Sequence, residues 1–559
     1  MVMVSSCARS CCLEATLRKA PYKEPTMSFR HFVDAALYTE KGPPMNPTWF
    51  YTLSRACGYN AQLQVLSWLL VLVPLTGILW HLASSSSHIL FIFNLRHSCV
   101  LGACRVAYHL MIMTLAPWPA REEALQHEND PSYLKRIGCI IPCHKSATEV
   151  DATVQSLLEF LEPEHIIVVD NGNSSSPLDD TKKEIQELSP SVSYIWVPLG
   201  LKTNALWRGL QALPPEVEYV MHVDDDTVLP ADMVFDESVW DHPLTDAVSY
   251  GITMQQSGLV EKLVDLEFKE ISQTRLFQSQ YSSVWFQHGI IGLWRREAFC
   301  EVLKEHPFMP FGEDNWNGTI NLLRNRQMRQ ELRSQVTSYA PACLWPFTGS
   351  REQGYGAANL WKQRAERWFV NAPRRCLIRL YLLFFYCHDT AMGNLVFRLI
   401  SLKHLFEIYI HLIVPLTLVA WTCSSEFDPL LTVEVLGVQI IFQWVLVFVE
   451  NYVMWRHRPD IQVEFQVCLC QPFYHWFLQV CFWYGHWRCL FYYIPFFPLR
   501  HGLYTEKGVL TPHLLKELHG IDTILNDSDV NVEAQADKAK ACESRLSTVS
   551  DASILNKLS

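Results

Sequence analysis

The sequence has a low share of charged residues and no excess of basic over acidic side chains. Only 18% of its 559 residues are charged, 49% are hydrophobic, and the formal net charge at pH 7 is -11. So few charges are unusual in a soluble chain, and we expect a membrane protein. A nucleic-acid partner requires a basic surface, so the composition also argues against one.

Regular cysteine spacings are absent as well. The 18 cysteines lie mostly in apolar stretches, and no CxxC pair occurs. Disulfide frameworks and structural zinc sites both depend on such spacings. We therefore expect reduced, buried thiols and neither kind of site.

An acidic run, Asp224-Asp225-Asp226, follows the apolar stretch Tyr219 to Met221. Adjacent carboxylates repel each other and are costly to desolvate unless a cation neutralises them. A hard divalent metal, Mg²⁺ or Mn²⁺, takes one or two protein carboxylates and fills its other positions with water and substrate phosphates. A solvated acidic turn is the alternative, and the run by itself leaves both open.

Short apolar runs alternate with helical patterns between about residues 134 and 344, which indicates an α/β domain. The repeated order of strand, helix and strand predicts a parallel sheet covered on both faces. A capping box at Ser146 and Glu149 predicts the start of the first helix. Ligands bind beyond the carboxyl ends of such strands, where residues 142–145, 170–173 and 224–226 all fall, and this favours the metal interpretation. The predicted strands are Gly138 to Ile141, His165 to Asp170, Tyr194 to Val197 and Tyr219 to Val223, and further helices are predicted at Thr181 to Leu188 and Thr203 to Leu213.

Six segments of this domain resemble, in order and spacing, the GT-A catalytic domain of family 2 inverting glycosyltransferases. They are Ile141 to Lys145, Val168 to Asn173, Lys202 to Ala205, Val223 to Thr227, Gly289 to Arg296 and Phe311 to Asp314. The resemblance implies that Asp224 and Asp226 hold the metal. It assigns nucleotide-sugar binding to Pro142, His144, Asp170, Lys202 and Asp224, the acceptor side to Trp294 and Arg295, and catalysis to Asp314 and Glu313.

The chemistry of sugar transfer agrees with two separate acidic clusters. The departing phosphates need charge neutralisation, and the acceptor hydroxyl needs a base because its pKa is high. Asp314 is far from Asp224 and Asp226 in the sequence, so it can approach the sugar from the opposite face, as inversion requires. In isolation, Glu313 and Asp314 also fit a helix N-terminus, where the helix dipole favours acids.

A basic stretch with aromatic residues, Tyr355 to Trp368, resembles the QxxRW signature of membrane-embedded family 2 synthases. The resemblance implies that Gln363 and Arg367 reach the diphosphate and that Trp368 stacks on the acceptor sugar. Here three residues separate Gln363 from Arg367 instead of two, so either Gln363 lies one position early or Arg364 takes part of the role. An interfacial helix whose Arg364, Arg367, Arg374 and Arg375 bind lipid headgroups is the alternative.

Long apolar stretches flank the α/β domain. We expect a cytosolic catalytic domain in a multi-pass membrane protein, because basic residues flank the uncharged connection after the first span. The second stretch contains Arg96 and Arg105 and either spans or lies at the interface. The expected spans are Gln64 to Ala83, Ile89 to Ala116, Ile408 to Thr422, Val435 to Val449 and Phe465 to Gly485. The expected division begins with a cytosolic segment at 1–60, a membrane region at 61–116 and the catalytic domain at 117–350. Interfacial helices follow at 351–400, and a second membrane region at 401–500 includes an interfacial or re-entrant segment, Leu490 to Leu499. Residues 501–559 are expected to form a polar, largely disordered tail.

These features together predict a plasma-membrane glycosyltransferase that uses a divalent metal and a nucleotide-diphosphate sugar. The expected donor is a UDP-sugar. The layout resembles fungal type 2 glycosyltransferases and the cellulose, chitin and hyaluronan synthases, which implies a growing polysaccharide exported to the cell surface or wall. A single-addition enzyme with a lipid acceptor, similar to ceramide glucosyltransferases, is the first alternative, and a catalytically dead transporter or scaffold is the second. Gln471, His475 and Gln479 form a helical stripe that fits a polymer channel, or else bonds between packed helices.

Overall fold

The computed structural model describes residues 95–172, 176–198, 200–306, 312–345, 351–353, 356–425 and 427–493. The predicted cytosolic segment 1–60, the span Gln64 to Ala83, most of Leu490 to Leu499 and the tail 501–559 lie outside these residues. Asn173 and Phe311 from the quoted motifs lie outside them as well.

The α/β region is built on one seven-stranded mixed sheet with the order β3-β2-β1-β4-β6-β5-β7. Only β6 runs antiparallel to its neighbours β4 and β5, so the sheet is mostly parallel, and the predicted α/β class is confirmed. The strands are β1 (Ile137–Cys143), β2 (Ile166–Asn171), β3 (Ser193–Val197), β4 (Tyr219–Val223), β5 (Thr245–Met254), β6 (Ile291–Arg295) and β7 (Gln327–Ser338), with a separate hairpin of β8 (Arg351–Gln353) and β9 (Gly356–Ala358).

Helices connect the strands and continue into an apolar bundle. The strands β1, β2 and β4 are buried along their whole length, as expected for a sheet covered on both faces. The α-helices are α1 (Leu95–Leu115), α2 (Arg121–Leu125), α3 (Pro131–Leu134), α4 (Val150–Leu158), α5 (Thr181–Leu188), α6 (Lys202–Ala212), α7 (Leu259–Tyr281), α8 (Arg296–Glu305), α9 (Glu313–Leu323), α10 (Cys376–Phe385), α11 (Ala391–Thr422), α12 (Pro429–Val449) and α13 (Phe465–Arg488).

The predicted capping box at Ser146 is wrong. Helix α4 begins at Val150, and Glu149 at its N-cap makes no side-chain capping bond. The Ser146 hydroxyl donates to the carboxylate of Asp225 instead. A serine hydroxyl has one proton to donate, and here the half-buried acid receives it.

Two of the described helices are long and apolar enough to cross a membrane. They are α11 and the combined helix Pro429–Met454, whose last turn, Glu450–Met454, is a π-helix. The predicted spans Ile408 to Thr422 and Val435 to Val449 fall within them. Helix α1 lies within the described part of the predicted span Ile89 to Ala116, and α13 covers the predicted span Phe465 to Gly485 and continues to Arg488, but neither reaches the same apolarity.

The polar stripe on α13 is bonded to neighbouring helices. Gln443 donates to the Oε1 atom of Gln471 at 2.9 Å, and Gln471 donates to Glu270 at 3.3 Å. Arg105 donates to His475 Nε2 at 3.1 Å, and the Nε2 atom of Gln479 lies 3.2 Å from the same nitrogen. These contacts match the interpretation in which the stripe holds packed helices together.

Candidate functional site

The proposed metal acids lie at the carboxyl edge of the sheet, beside the first residue of α6. Asp224 follows the end of β4, and its backbone amide donates to the carbonyl oxygen of Ile290 at 2.9 Å. Lys202 Nζ lies 2.5 Å from Asp224 Oδ1 and donates to the carbonyl oxygen of Gly289 at 2.8 Å. The edge therefore places a lysine, a carboxylate and the chain before β6 in direct contact.

Lys202 also reaches the second acidic cluster, at the start of α9. Its Nζ lies 2.9 Å from Oε1 of Glu313. Glu313 and Asp314 occupy the first turn of α9, as the helix interpretation predicted, and Gly312 precedes them in the left-handed region at φ 80°. Burial alone would lower the pKa of Lys202, but Asp224 and Glu313 outweigh it and raise that pKa. Burial alone would raise the pKa of Glu313, but the charge of Lys202 outweighs this effect. The pKa of Glu313 is therefore lowered, and Lys202 and Glu313 form an ion pair.

The three consecutive acids have different partners. Asp225 accepts the Ser146 hydroxyl, and its carbonyl oxygen accepts from Thr153 Oγ1 at 2.8 Å. Asp226 Oδ1 accepts from the Ser338 hydroxyl, at the end of β7, at 3.2 Å. The middle acid is thus tied to the loop after β1, while Asp224 and Asp226 remain at the edge.

The donor atoms fit a hard divalent cation. Burial and the neighbouring carboxylates of Asp225 and Asp224 raise the pKa of Asp226 well above its ordinary value, and burial raises the pKa of Asp224 to about 6. A metal ion would remove this repulsion. Among the described residues, no group of three or more His, Cys, Asp or Glu side chains is able to hold a metal. A two-carboxylate site completed by water and phosphates is the arrangement that Mg²⁺ accepts.

Of the residues assigned to the nucleotide, Pro142, His144 and Asp170 lie on β1, the loop after β1 and β2. Asp170 Oδ2 accepts from the Tyr194 hydroxyl at 2.8 Å, and burial raises the pKa of Asp170 to about 6. His144 Nδ1 contacts the carbonyl oxygen of Asn171 at the end of β2. Pro142 is buried inside β1, opposite Val169, because the strand continues to Cys143, beyond the end at Ile141 that the sequence suggested.

The predicted base, Asp314, lies next to the chain that Lys202 contacts. A methyl group built on Gly289 would lie 3.6 Å from Asp314 Cγ and 3.4 Å from Glu313 Oε1. Burial and Glu313 raise the pKa of Asp314 to about 6, against opposing contributions from Lys202 and Arg275. At neutral pH the group is therefore mostly ionised and near the range in which a carboxylate accepts a proton efficiently.

Trp294 and Arg295 do not reach this edge, and their assignment to the acceptor side is corrected. Trp294 is fully buried in β6, where its Nε1 donates to Gln287 Oε1 at 2.5 Å. Arg295 pairs with Tyr219 at the start of β4 and donates to the carbonyl oxygens of Trp240 and Thr245. Because β6 is antiparallel, its carboxyl end lies at the opposite edge from Asp224.

A chain of side chains connects Trp294 to the acidic edge. Indole N–H only donates, so it fixes the amide oxygen of Gln287 and turns the amide nitrogen toward His222 Nε2, 2.5 Å away. His222 Nε2 must accept, and burial, together with Lys202, lowers the pKa of His222 to about 3. Any side chain at Gly292 would collide with both Gln287 and His222, which explains the glycine at this position.

The QxxRW-like segment forms a π-helix, Lys362–Trp368. Such a helix accommodates one extra residue per turn, which accounts for the additional residue between Gln363 and Arg367. Arg364 is fully buried, donates to Glu267 at 2.9 Å and to Gln363 Oε1 at 2.9 Å, and its guanidinium carbon lies 3.7 Å from the centre of the Trp368 ring. Arg364 is therefore a core residue, and the headgroup-binding alternative fails for it.

Aromatic contacts link this π-helix to the site. The Trp368 ring meets Phe268 edge-on at 6.2 Å between centroids, and Phe268 meets His288 at 4.6 Å. His288 directly precedes Gly289, the residue beside Asp314. Gln363, Arg367 and Trp368 thus lie on an element that borders the acidic edge, with one face of Trp368 covered by Arg364.

Several polar residues of the site had no signal in the sequence. All but Asn315, the direct neighbour of Asp314, act on a partner that is remote in the chain, and spacing alone does not reveal such contacts. They are Tyr194 on Asp170, Ser338 on Asp226, Gln287 on His222, and Arg275, Asn315 and Arg375 around Asp314.

Residues 139–303 match the family model described as glycosyl transferase family 2. The chain is 26% identical over 182 residues to the poly-beta-1,6-N-acetyl-D-glucosamine synthase of Staphylococcus epidermidis, an alignment covering 31% of this chain and 43% of that relative. The similarity to family 2 glycosyltransferases thus lies in the α/β region, and the chain spans less than half of the length of this curated relative.

Solved structures also match part of the chain. The mannosyltransferase PcManGT from Pyrobaculum calidifontis, in complex with GDP-Man and Mn²⁺, aligns with 15% identity and a TM-score of 0.44 over 71% of this chain and 99% of that chain. Residues 1–349 of S. aureus TarS, in complex with UDP-GlcNAc, align with 11% identity and a TM-score of 0.30 over 63% of this chain and 91% of that chain.

Proposed function

We propose that this protein is a membrane glycosyltransferase that transfers sugar from a nucleotide-diphosphate sugar, with inversion, onto a growing polysaccharide. The observation that carries the proposal is the position of Lys202 between Asp224 and Glu313. The Asp224 side of this contact is suited to a metal and a diphosphate. The Glu313 side is suited to the acceptor, because Glu313 is next to Asp314, the proposed base. A single partly buried cation therefore joins the two halves that the reaction requires.

The donor side holds the diphosphate. Asp224 and Asp226 would hold Mg²⁺ or Mn²⁺, which supplies charge neutralisation for the departing phosphates. Lys202 adds a fixed positive charge there, and Asp170, Pro142 and His144 lie on the neighbouring strand ends, where the nucleotide would bind. We propose UDP as the nucleotide carrier.

The acceptor side supplies the base. Asp314 accepts the proton of the acceptor hydroxyl as that oxygen attacks the anomeric carbon, and the diphosphate leaves from the opposite face. Gln363, Arg367 and Trp368, on the bordering π-helix, would contact the diphosphate and the acceptor sugar. The rows of exposed apolar side chains on α11 and α12 support a membrane location.

Single addition to a lipid acceptor is the second candidate. It is favoured by the bonds of Gln471 and His475 to Gln443 and Arg105, because side chains engaged between helices are not available to line a polymer path. A polymer crossing the bilayer needs such polar groups along its route.

The test supplies purified protein in lipid nanodiscs with radiolabelled UDP-sugars and GDP-sugars, with Mg²⁺ or Mn²⁺, and then sizes the product. Label in material of many sugar units supports the polysaccharide function. Label confined to one sugar on extractable lipid supports the second candidate. Absence of any metal-dependent transfer or donor hydrolysis, while the Asp314→Asn variant behaves identically, would contradict both.

A further inference from the structure

The first turn of α9 presents three polar side chains in a row, each with a different partner. Glu313 pairs with Lys202, and Asn315 Oδ1 accepts from Arg375 Nη1 at 2.5 Å. Asp314 lies between them. Arg375 belongs to the short segment Pro373–Arg375 that follows the π-helix, so two separate parts of the chain converge on this turn.

The contact with Arg375 fixes the orientation of the Asn315 amide. A guanidinium only donates, so the amide oxygen faces Arg375 and the amide nitrogen faces away from it. That nitrogen donates to Asp314 Oδ1 at 3.4 Å. Oδ1 of Asp314 is thereby engaged by the Asn315 side chain, and the Asn315 backbone amide also donates to this carboxylate.

Both arginines near Asp314 are shielded from solvent. Arg375 is 4% exposed and Arg275 is 5% exposed, and the Arg275 guanidinium stacks 4.6 Å from the centre of the Phe286 ring. Buried arginines are unusual without an acidic partner, and Asp314 is the acid whose charge acts on each of them. Arg375 therefore does not bind lipid headgroups, contrary to the interfacial alternative.

We propose that Arg375 and Asn315 are positioning residues that orient Asp314 and keep it ionised, so that the segment Pro373–Arg375 holds the base in place. This inference rests on the proposed function. In the reaction, the acceptor O–H proton moves to the Asp314 carboxylate while the acceptor oxygen bonds to the anomeric carbon. The bond from that carbon to the phosphate oxygen breaks, its electron pair leaves with the nucleoside diphosphate, and Asp314 later loses the proton to water.

The charges facing Asp314 come from four residues. Glu313 opposes its ionisation, whereas Lys202, Arg275 and Arg375 favour it. Removal of the amide donor, or of the Arg375 charge behind it, shifts this balance toward the protonated acid. The expected consequence is a base that works only at higher pH, with binding of the donor sugar unchanged.

The experiment compares Asn315→Ala, Arg375→Lys and Arg375→Gln with wild type, in nanodiscs, over pH 5 to 9. We expect the acidic limb of kcat to move up by roughly one pH unit in Asn315→Ala and Arg375→Gln, with KM for the donor unchanged. Turnover then falls about fivefold at pH 6 and little at pH 8. Arg375→Lys, which keeps a donor and the charge, should restore most of the wild-type profile.

Arg324→Gln is the matched control. Arg324 caps the other end of α9 and pairs with Glu305 at 3.0 Å, so its loss perturbs the same helix without touching the base. Its pH profile should match that of wild type. An equal loss of turnover at every pH in Asn315→Ala, with the acidic limb unmoved, would overturn the inference.

A readout without turnover separates this inference from the proposed function. The infrared carboxyl band that is missing in Asp314→Asn is titrated in wild type and in Asn315→Ala. A higher midpoint in Asn315→Ala supports the positioning role even if no sugar is transferred, and an identical midpoint rejects it. Absence of transfer by wild type contradicts only the proposed function.

Discussion

The Nζ atom of Lys202 lies 2.9 Å from the carboxylate of Glu313, although one residue begins α6 and the other begins α9. The same ammonium group holds Asp224 at 2.5 Å. The two acidic clusters are therefore held at a fixed separation by one cation. Loss of this cation leaves two partly buried carboxylates that repel each other.

Lys202→Met should abolish sugar transfer and destabilise the protein. Removing one partner of a buried ion pair costs roughly 3 kcal/mol, and we expect a smaller loss for this partly buried group, because the remaining carboxylates are left without compensation. Thermal unfolding and transfer assays check this expectation. Lys262→Met, which breaks a more exposed pair with Glu464, is the control and should change both values little. Transfer by Lys202→Met at wild-type rates would contradict the central role of Lys202.

Asp226→Ala should abolish metal-dependent turnover while the protein stays in the membrane, because the substitution removes a ligand and little packing. Asp225→Asn is the comparison: its side chain is tied to Ser146, so it should alter stability more than the metal concentration that gives half-maximal rate. Activity is measured against Mn²⁺ and Mg²⁺ concentration. Activity of either wild type or Asp226→Ala in excess chelator would refute the metal assignment.

Asp314→Asn should lower turnover by roughly 10²- to 10⁴-fold with donor binding little changed, the usual range for a lost general base. In wild type, kcat should fall as pH drops through about 6, where Asp314 becomes protonated. Donor binding is followed by calorimetry with the nucleotide sugar. A collapse of donor binding would instead make Asp314 a nucleotide ligand.

The raised pKa of Asp314 also predicts a stability effect. The folded protein holds this proton up to about pH 6, whereas the unfolded chain releases it near pH 3.9, so folding loses stability as pH rises through that window. The Asp314→Asn variant has no carboxyl group to titrate at this position, so it does not lose this stability. The variant should therefore melt at a higher temperature than wild type above pH 6, with a smaller difference at pH 4. Equal melting temperatures of wild type and Asp314→Asn at every pH would show that folding does not raise the pKa of Asp314.

Arg364→Ala should destabilise the protein by about 3 to 5 kcal/mol, because it leaves Glu267 without its ion-pair partner and removes the stack on Trp368. Unfolding in detergent reports the loss, and Lys183→Ala, from an exposed pair with Glu187, is the control with almost no expected effect. A stable Arg364→Ala variant with reduced donor affinity would place Arg364 at the diphosphate instead of in the core.

The sequence predicted the α/β class and the four parallel strands around β1 because these depend on local patterns. Apolar runs of strand length and the helical periods between them are properties of neighbouring residues. The same locality explains the wrong capping box, since Ser146 has the right spacing for a cap but a stronger partner in Asp225, on another strand end. The spacing of residues in the sequence shows that Ser146 could cap a helix, but it does not show that Asp225 competes for the same hydroxyl.

The sequence by itself determined which chemistry this protein carries: two acidic clusters, a lysine that precedes both of them in motif order, and a Gln-Arg-Trp segment, all of them identified by residue type and order. Only the tertiary structure decided which of these groups meet. It turned β6 antiparallel, which brought Gly289 to the acids and sent Arg295 to the opposite edge. It also put Arg375 behind Asn315 and buried Arg364. Strand direction and contacts between remote residues follow from packing of the whole core, which no local stretch of sequence specifies.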